Sequence, residues 1–149
     1  MVRRYLMSAE IAFVMVAVAL NAAHAAHVDS PETVVQAQLE AYNAHDIHRF
    51  MATYAGDAEI FEYPAKPLMK GSAEIEDFYA NKRFNDTRLH ATIQNRISMG
   101  DTVVDHESII ATFPEGPGRF EAIAIYQVQD GKIVKVTLIR GARVLDQKP

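Results

Sequence analysis

The sequence predicts an α+β domain. Helical periodicity falls in the N-terminal half, where one extended segment interrupts it. Runs rich in Val, Ile and Thr follow from residue 89 onward, and the turn dipeptides Gly100-Asp101 and Asp130-Gly131 join them as antiparallel neighbours. The chain has 149 residues, 49% of them apolar, with 7 glycines, 6 prolines and no cysteine. That composition suits one domain with a short appendage. It excludes a disordered chain, a disulfide framework, a thiolate nucleophile and a cysteine-rich zinc site. A net charge of −4 does not suit an electrostatic nucleic-acid binder, which needs a concentrated basic face.

Ser30-Pro31-Glu32 is a helix start: a hydroxyl cap, proline at the first helical position and an acid in the first turn. Val35, Leu39 and Tyr42 continue it as one apolar stripe, and Asn43-Ala44-His45 ends it. Asp46 caps a second short helix that buries Ile47, Phe50, Met51 and Tyr54. Ala58 to Tyr63 is extended, with Pro64 and Pro67 ending it. Gly71-Ser72 opens a third helix, whose Ile75, Phe78 and Tyr79 face inward. The strands then run Leu89–Met99, Thr102–Phe113, Arg119–Gln129 and Lys132–Arg140, with Pro114 to Gly118 as the clearest loop.

Residues 1–25 read as an address. Arg3 and Arg4 precede an unbroken apolar run, Ile11 to Leu20, and Ala23-His24-Ala25 offers small residues at a cleavage site. The run is about half the 20 residues of a membrane-spanning helix, which favours a cleaved signal over an uncleaved anchor. The expected organisation is a signal peptide at 1–25, a leader at 26–30, the domain at 31–142 and a C-terminal tail at 143–149. The mature chain would be secreted or periplasmic, with no membrane segment and a net charge of −5.

The pattern resembles the NTF2-like superfamily, which includes the SnoaL-like cyclases and ketosteroid isomerases. The resemblance is carried by Ala41-Tyr42-Asn43-Ala44-His45-Asp46, Asp57-Ala58-Glu59-Ile60, Gly71-Ser72-Ala73, Phe78-Tyr79-Ala80-Asn81 and Gly131-Lys132-Ile133-Val134. It implies a cone in which three N-terminal helices pack on a strongly bent, mostly antiparallel sheet and enclose a pocket. It also implies cofactor-free chemistry. In ketosteroid isomerases a carboxylate base at the end of the first strand works with an oxyanion hole made of a tyrosine and a protonated acid. Matching without gaps puts Glu62 at the base position, Gln38 at the tyrosine position and Ala124 at the acid position. Each oxyanion donor typically supplies about 3–4 kcal/mol of transition-state stabilisation, so their loss argues against efficient steroid isomerisation.

Strand alternation within that match turns Leu89, His106, Ser108 and Ile110 toward the pocket. Phe120, Ala122, Ala124 and Tyr126 join them from the next strand, and Val136, Leu138 and Arg140 from the last. Gln38, Tyr42 and Phe78 line the helical side. Glu62, His106, Tyr126 and Arg140 would then form the catalytic set, in an otherwise apolar hollow that takes a small, partly apolar molecule. Plainer readings stand beside these: an exposed strand-end Glu62, a satisfied strand histidine at 106, and an Arg140 that meets only solvent or a partner chain. Ile109, Ala111, Ile123, Ile125, Ile133 and Ile139 would point to the opposite face, an apolar surface that asks for a cover and predicts a homodimer. No metal site is expected, because His45 and His48 straddle a helix break. No G-x-S-x-G or P-loop occurs.

Overall fold

A computed structural model describes residues 29–146; the predicted signal peptide and most of the leader lie outside them. Ser30 caps α1 (Pro31–Asn43) by accepting from the Thr33 amide, and Asp46 caps α2 (Ile47–Met51) through the Arg49 amide at 3.0 Å. β1 (Tyr54–Glu62) and β2 (Lys66–Lys70) form a hairpin whose turn holds a cis Tyr63-Pro64 bond. The prolines therefore turn the chain back on itself, and Pro67 is tolerated because β2 is an edge strand. α3 (Ser72–Phe78) continues as a π-helical turn, Tyr79–Arg83.

The strands β3 (His90–Met99), β4 (Thr102–Phe113), β5 (Gly116–Gln129) and β6 (Lys132–Arg140) follow. The sheet order is β2-β1-β6-β5-β4-β3, antiparallel except where β1 lies parallel to β6. The expected loop at 114–118 shrinks to a tight turn, because Phe113 already pairs with Gly116. The expected tail adds a short strand, β7 (Val144–Leu145), beside β5 at Gly118 and Arg119. Only glycine fits at 118, where a Cβ would lie 2.5 Å from the Val144 carbonyl oxygen.

The main core gathers around the fully buried Phe50, with the rings of Tyr54, Tyr79, Tyr42 and Phe84 about it. Two irregularities decide what faces this core. Val134 is an extra residue opposite the Gln127/Val128 step, so Ile133 and Val136 are both buried although three apart. Gln94 is an extra residue opposite the Glu107/His106 step, so Arg96 shares a face with Asp105. The sheet is curved and unclosed, with the helices on its inner face.

Candidate functional site

The inner face of β4 carries Val103, Asp105, Glu107, Ile109, Ala111 and Phe113, all buried. This alternation is opposite to the expected one. His106, Ser108 and Ile110 lie on the outer face, where the His106 imidazole meets Glu121 at 3.0 Å. The reason is hydrophobic. The set with Val103, Ile109, Ala111 and Phe113 buries more apolar surface than the set with His106, Ser108 and Thr112, so it wins the core even while carrying two acids inward. Ile109 and Ala111 are likewise moved inward from the predicted outer face, and the Val134 bulge moves Ile133.

Two hollows on the inner side of the sheet share part of their lining. The inner one, of about 70 Å³, is bounded by Gln38 and Tyr42 of α1, Tyr79, Glu107 of β4, Ala122 and Tyr126 of β5, and Leu138 of β6. The outer one, of about 820 Å³, is bounded by Glu62, Leu68, Phe78 and Phe113 among others. Phe120 and Arg140 line both. A volume of several hundred Å³ is that of a small-molecule site.

Glu107 is the inner hollow's acid. Its strand partner on β5 is Ala122, and Asp105 faces Ala124; these small side chains leave room for two carboxyl groups. Tyr126 reaches across Ala124 and donates from Oη to Glu107 Oε1 at 3.3 Å. Burial, then the neighbouring Asp105, push Glu107 up to about 7 against the weaker opposing pull of the Tyr126 hydrogen bond and Arg96. Asp105, 1% exposed, is held by both prongs of Arg96, with Nε and Nη2 at 2.6 and 2.7 Å. Arg96 Nη1 also donates to Gln36 of α1 at 3.0 Å. One acid thus has a fixed cation, and the other has only a phenol.

Three more phenols surround this pair. Gln38 Nε2 donates to Tyr54 Oη at 3.2 Å, and Arg83 Nη2 donates to Tyr42 Oη at 3.0 Å. Burial raises the pKa of Tyr42, Tyr54, Tyr79 and Tyr126, so all four are neutral hydrogen-bond donors at physiological pH. Among the described residues, no fully buried side-chain nitrogen or oxygen lacks a hydrogen-bond partner.

The residues proposed from sequence divide in three: those lining a hollow, those packed in the core, and the outward-facing His106, Ser108 and Ile110. Gln38, Tyr42, Phe120, Ala122, Tyr126, Leu138 and Arg140 line the inner hollow, and Phe78 lines the outer one. Leu89, Ala124 and Val136 are packed into the core. Glu62 and Arg140 do meet, at 2.7 Å, but at the outer hollow; Lys66 adds a second cation 3.6 Å from Glu62. The Arg140 hydrogen bond and charge hold Glu62 below the usual carboxylate range, which makes it a weak proton acceptor. Sequence reasoning missed Glu107, Asp105 and Arg96. The available signal was the greater apolarity of the odd-numbered positions of β4.

A curved, unclosed sheet with helices across a polar-floored hollow is the NTF2-like fold, a class built around small-molecule pockets. The model of the SnoaL-like domain matches residues 35–136, and the chain belongs to that family. Solved structures agree on the fold. An uncharacterized cystatin fold protein from Novosphingobium aromaticivorans superposes with a TM-score of 0.69 at 23% identity, over 75% of this chain and 99% of that one. An LEH-like epoxide hydrolase of M. tuberculosis gives 0.64 at 15%, over 74% and 82%. A hypothetical protein with ketosteroid isomerase-like fold from Catenulispora acidiphila, in complex with trimethylamine, gives 0.61 at 17%, over 74% and 85%. No functionally curated protein matches the sequence significantly.

Proposed function

We propose that this chain binds a small, partly apolar molecule in the two adjoining hollows and carries out cofactor-free proton transfer on it, with Glu107 as the group that accepts and returns the proton. The carrying observation is a nearly buried carboxyl group, raised to about 7, on the wall of a hollow and bonded to Tyr126. An acid–base group is most effective when its pKa lies near the working pH. In this reading the Glu107 carboxylate takes a proton from the ligand, the electron pair moves to a ligand oxygen, and a neutral phenol steadies that oxygen. Return of the proton at another atom completes an isomerase, cyclase or lyase step. The same proton acceptor acting on water would open an epoxide, the substrate class named for the epoxide hydrolase of like fold.

The role given to Glu62 changes accordingly. With Arg140 it forms an ion pair at the wall the two hollows share. His106, on the far face, takes no part. The test starts with native mass spectrometry of the protein purified from its own host, to identify a retained ligand. Turnover of that ligand should then fall about a hundredfold or more in Glu107→Gln, the usual scale of acid–base catalysis. Unchanged turnover refutes the assignment. The second reading, binding without turnover, is favoured by the inner hollow's small volume of about 70 Å³; a ligand that binds tightly and is released unaltered supports it.

Two further parts belong to this proposal. The chain acts outside the cytoplasm, on the strength of Arg3, Arg4, the Ile11–Leu20 run and Ala23-His24-Ala25. It also pairs with a second copy through the outer sheet face, where Ile123, Ile125 and Ile139 lie beside Val104 and Ile97, the last 61% exposed.

A further inference from the structure

The outer hollow has a charge opposite to that of the protein. Among the described residues, Lys82, Arg83, Arg140 and Arg143 line it against Glu62 as the one lining acid, in a chain whose net charge is −4. Three separate elements bring these cations together: the π-helical turn, the end of β6 and the link to β7. Arg140 is neutralised by Glu62. Arg83 donates to the Tyr42 phenol and sits near Asp86. Arg143 lies 3.7 Å from Glu115. Counting Asp86 and Glu115 as well, the rim keeps an excess of positive charge.

The cations are also laid on apolar surface. The Arg143 guanidinium stands over the Phe113 ring at 4.8 Å, and the Lys82 ammonium over Phe78 at 5.9 Å. Leu68 and Met69 complete the apolar wall. A hollow with an apolar wall and a cationic rim complements one kind of molecule: an apolar body carrying an anionic group.

We propose that the outer hollow selects amphipathic anions, holding the anionic group at Lys82, Arg83 and Arg143 while the apolar body points past Phe120 toward Glu107. This rests on the reading of the hollows as a ligand site and adds the class of ligand. A carboxylate or sulfonate at the rim also keeps its charge away from Glu107, where a second negative charge would disfavour proton loss.

The test uses two dyes with one skeleton, N-phenyl-1-naphthylamine and its sulfonate, 8-anilino-1-naphthalenesulfonate, titrated by fluorescence. The neutral dye is the more apolar, so plain hydrophobic binding favours it. At about 20 mM salt the sulfonate should bind at least about fivefold tighter, and the gap should close by about 300 mM, where charges are screened within about 6 Å. The double variant Lys82→Gln/Arg143→Gln should weaken the sulfonate about fivefold, the upper range for exposed charge pairs, and leave the neutral dye unchanged. Both side chains are exposed, and an unaltered melting temperature confirms the fold. If the two dyes bind alike, or the variant treats them alike, the rim is not a selector and the hollow remains a ligand site. If neither dye binds, the ligand-site reading falls, and this inference with it.

Discussion

Replacing Glu107 by Gln removes one titrating group and almost nothing else. The side chains are nearly isosteric, and the amide oxygen still accepts from Tyr126. In the unfolded chain the carboxyl group titrates near the ordinary value of 4.5, and in the folded protein at about 7. The folded state therefore holds the proton more tightly. Stability from this group is fully present below pH 4.5, is lost as pH rises through the window to 7, and changes no further above it. A difference of about 2.5 units at about 1.4 kcal/mol each amounts to roughly 3 kcal/mol. No discount for solvent screening is called for, because Glu107 is only 9% exposed. Urea unfolding of both proteins from pH 4.5 to 8 measures it. Relative to wild type, Glu107→Gln should gain about 3 kcal/mol across that range, a midpoint shift of about 1–3 M urea. Taking the difference cancels the other titrating groups. A difference that stays flat with pH would show that Glu107 is not held in the environment described and would remove the basis of its proposed chemistry.

Arg96→Ala should cost about 3–5 kcal/mol, because it leaves Asp105 buried without its cation; thermal or urea unfolding reads this directly, and a loss below about 1 kcal/mol would mean water replaces the pair. Light scattering on the eluting protein at micromolar concentration should give twice the monomer mass, and Ile125→Glu, placed on the outer face, should return it to the monomer. A wild-type monomer under those conditions rejects the dimer. N-terminal sequencing of the exported protein should begin at or near Ala26, and a chain beginning at Met1 in that fraction contradicts signal cleavage.

The fold was legible because its signals are local. Ser30-Pro31 and Asp46 cap helices with their own side chains, and Asp130-Gly131 turns a hairpin with two positive φ angles, 50° and 72°. The β4 and β6 boundaries coincide with the Val/Ile-rich runs for the same reason. The site was less legible because its face depends on register, which one residue inverts. The match placed His106 inward, while the packing of Val103, Ile109, Ala111 and Phe113 placed Asp105 and Glu107 there instead. Bulges are harder still. Nothing in Ile93-Gln94-Asn95 announces an extra residue, yet without it Arg96 would point away from Asp105. Long-range pairing is what selects these positions.

That dependence has a chemical consequence. Two carboxyl groups, two residues apart on one strand, enter the same core. Left alone, two charged carboxyl groups there would repel and be costly to bury. The bulge at Gln94 hands the Arg96 hydrogen bonds to Asp105, in a two-pronged pair that also ties β3 to α1 through Gln36. Glu107 is left with Tyr126 and no cation of its own, so burial holds its proton up to about pH 7. A stability-driven sequence would place an apolar residue at 107, beside Ile109 and opposite Ala122. By the shift worked out above, this acid should weaken the fold above neutral pH by roughly 3 kcal/mol. A cost of that size at the wall of a hollow, with the neighbouring acid already paired to Arg96, is the reason Glu107 rather than Glu62 is the group proposed to act on a ligand.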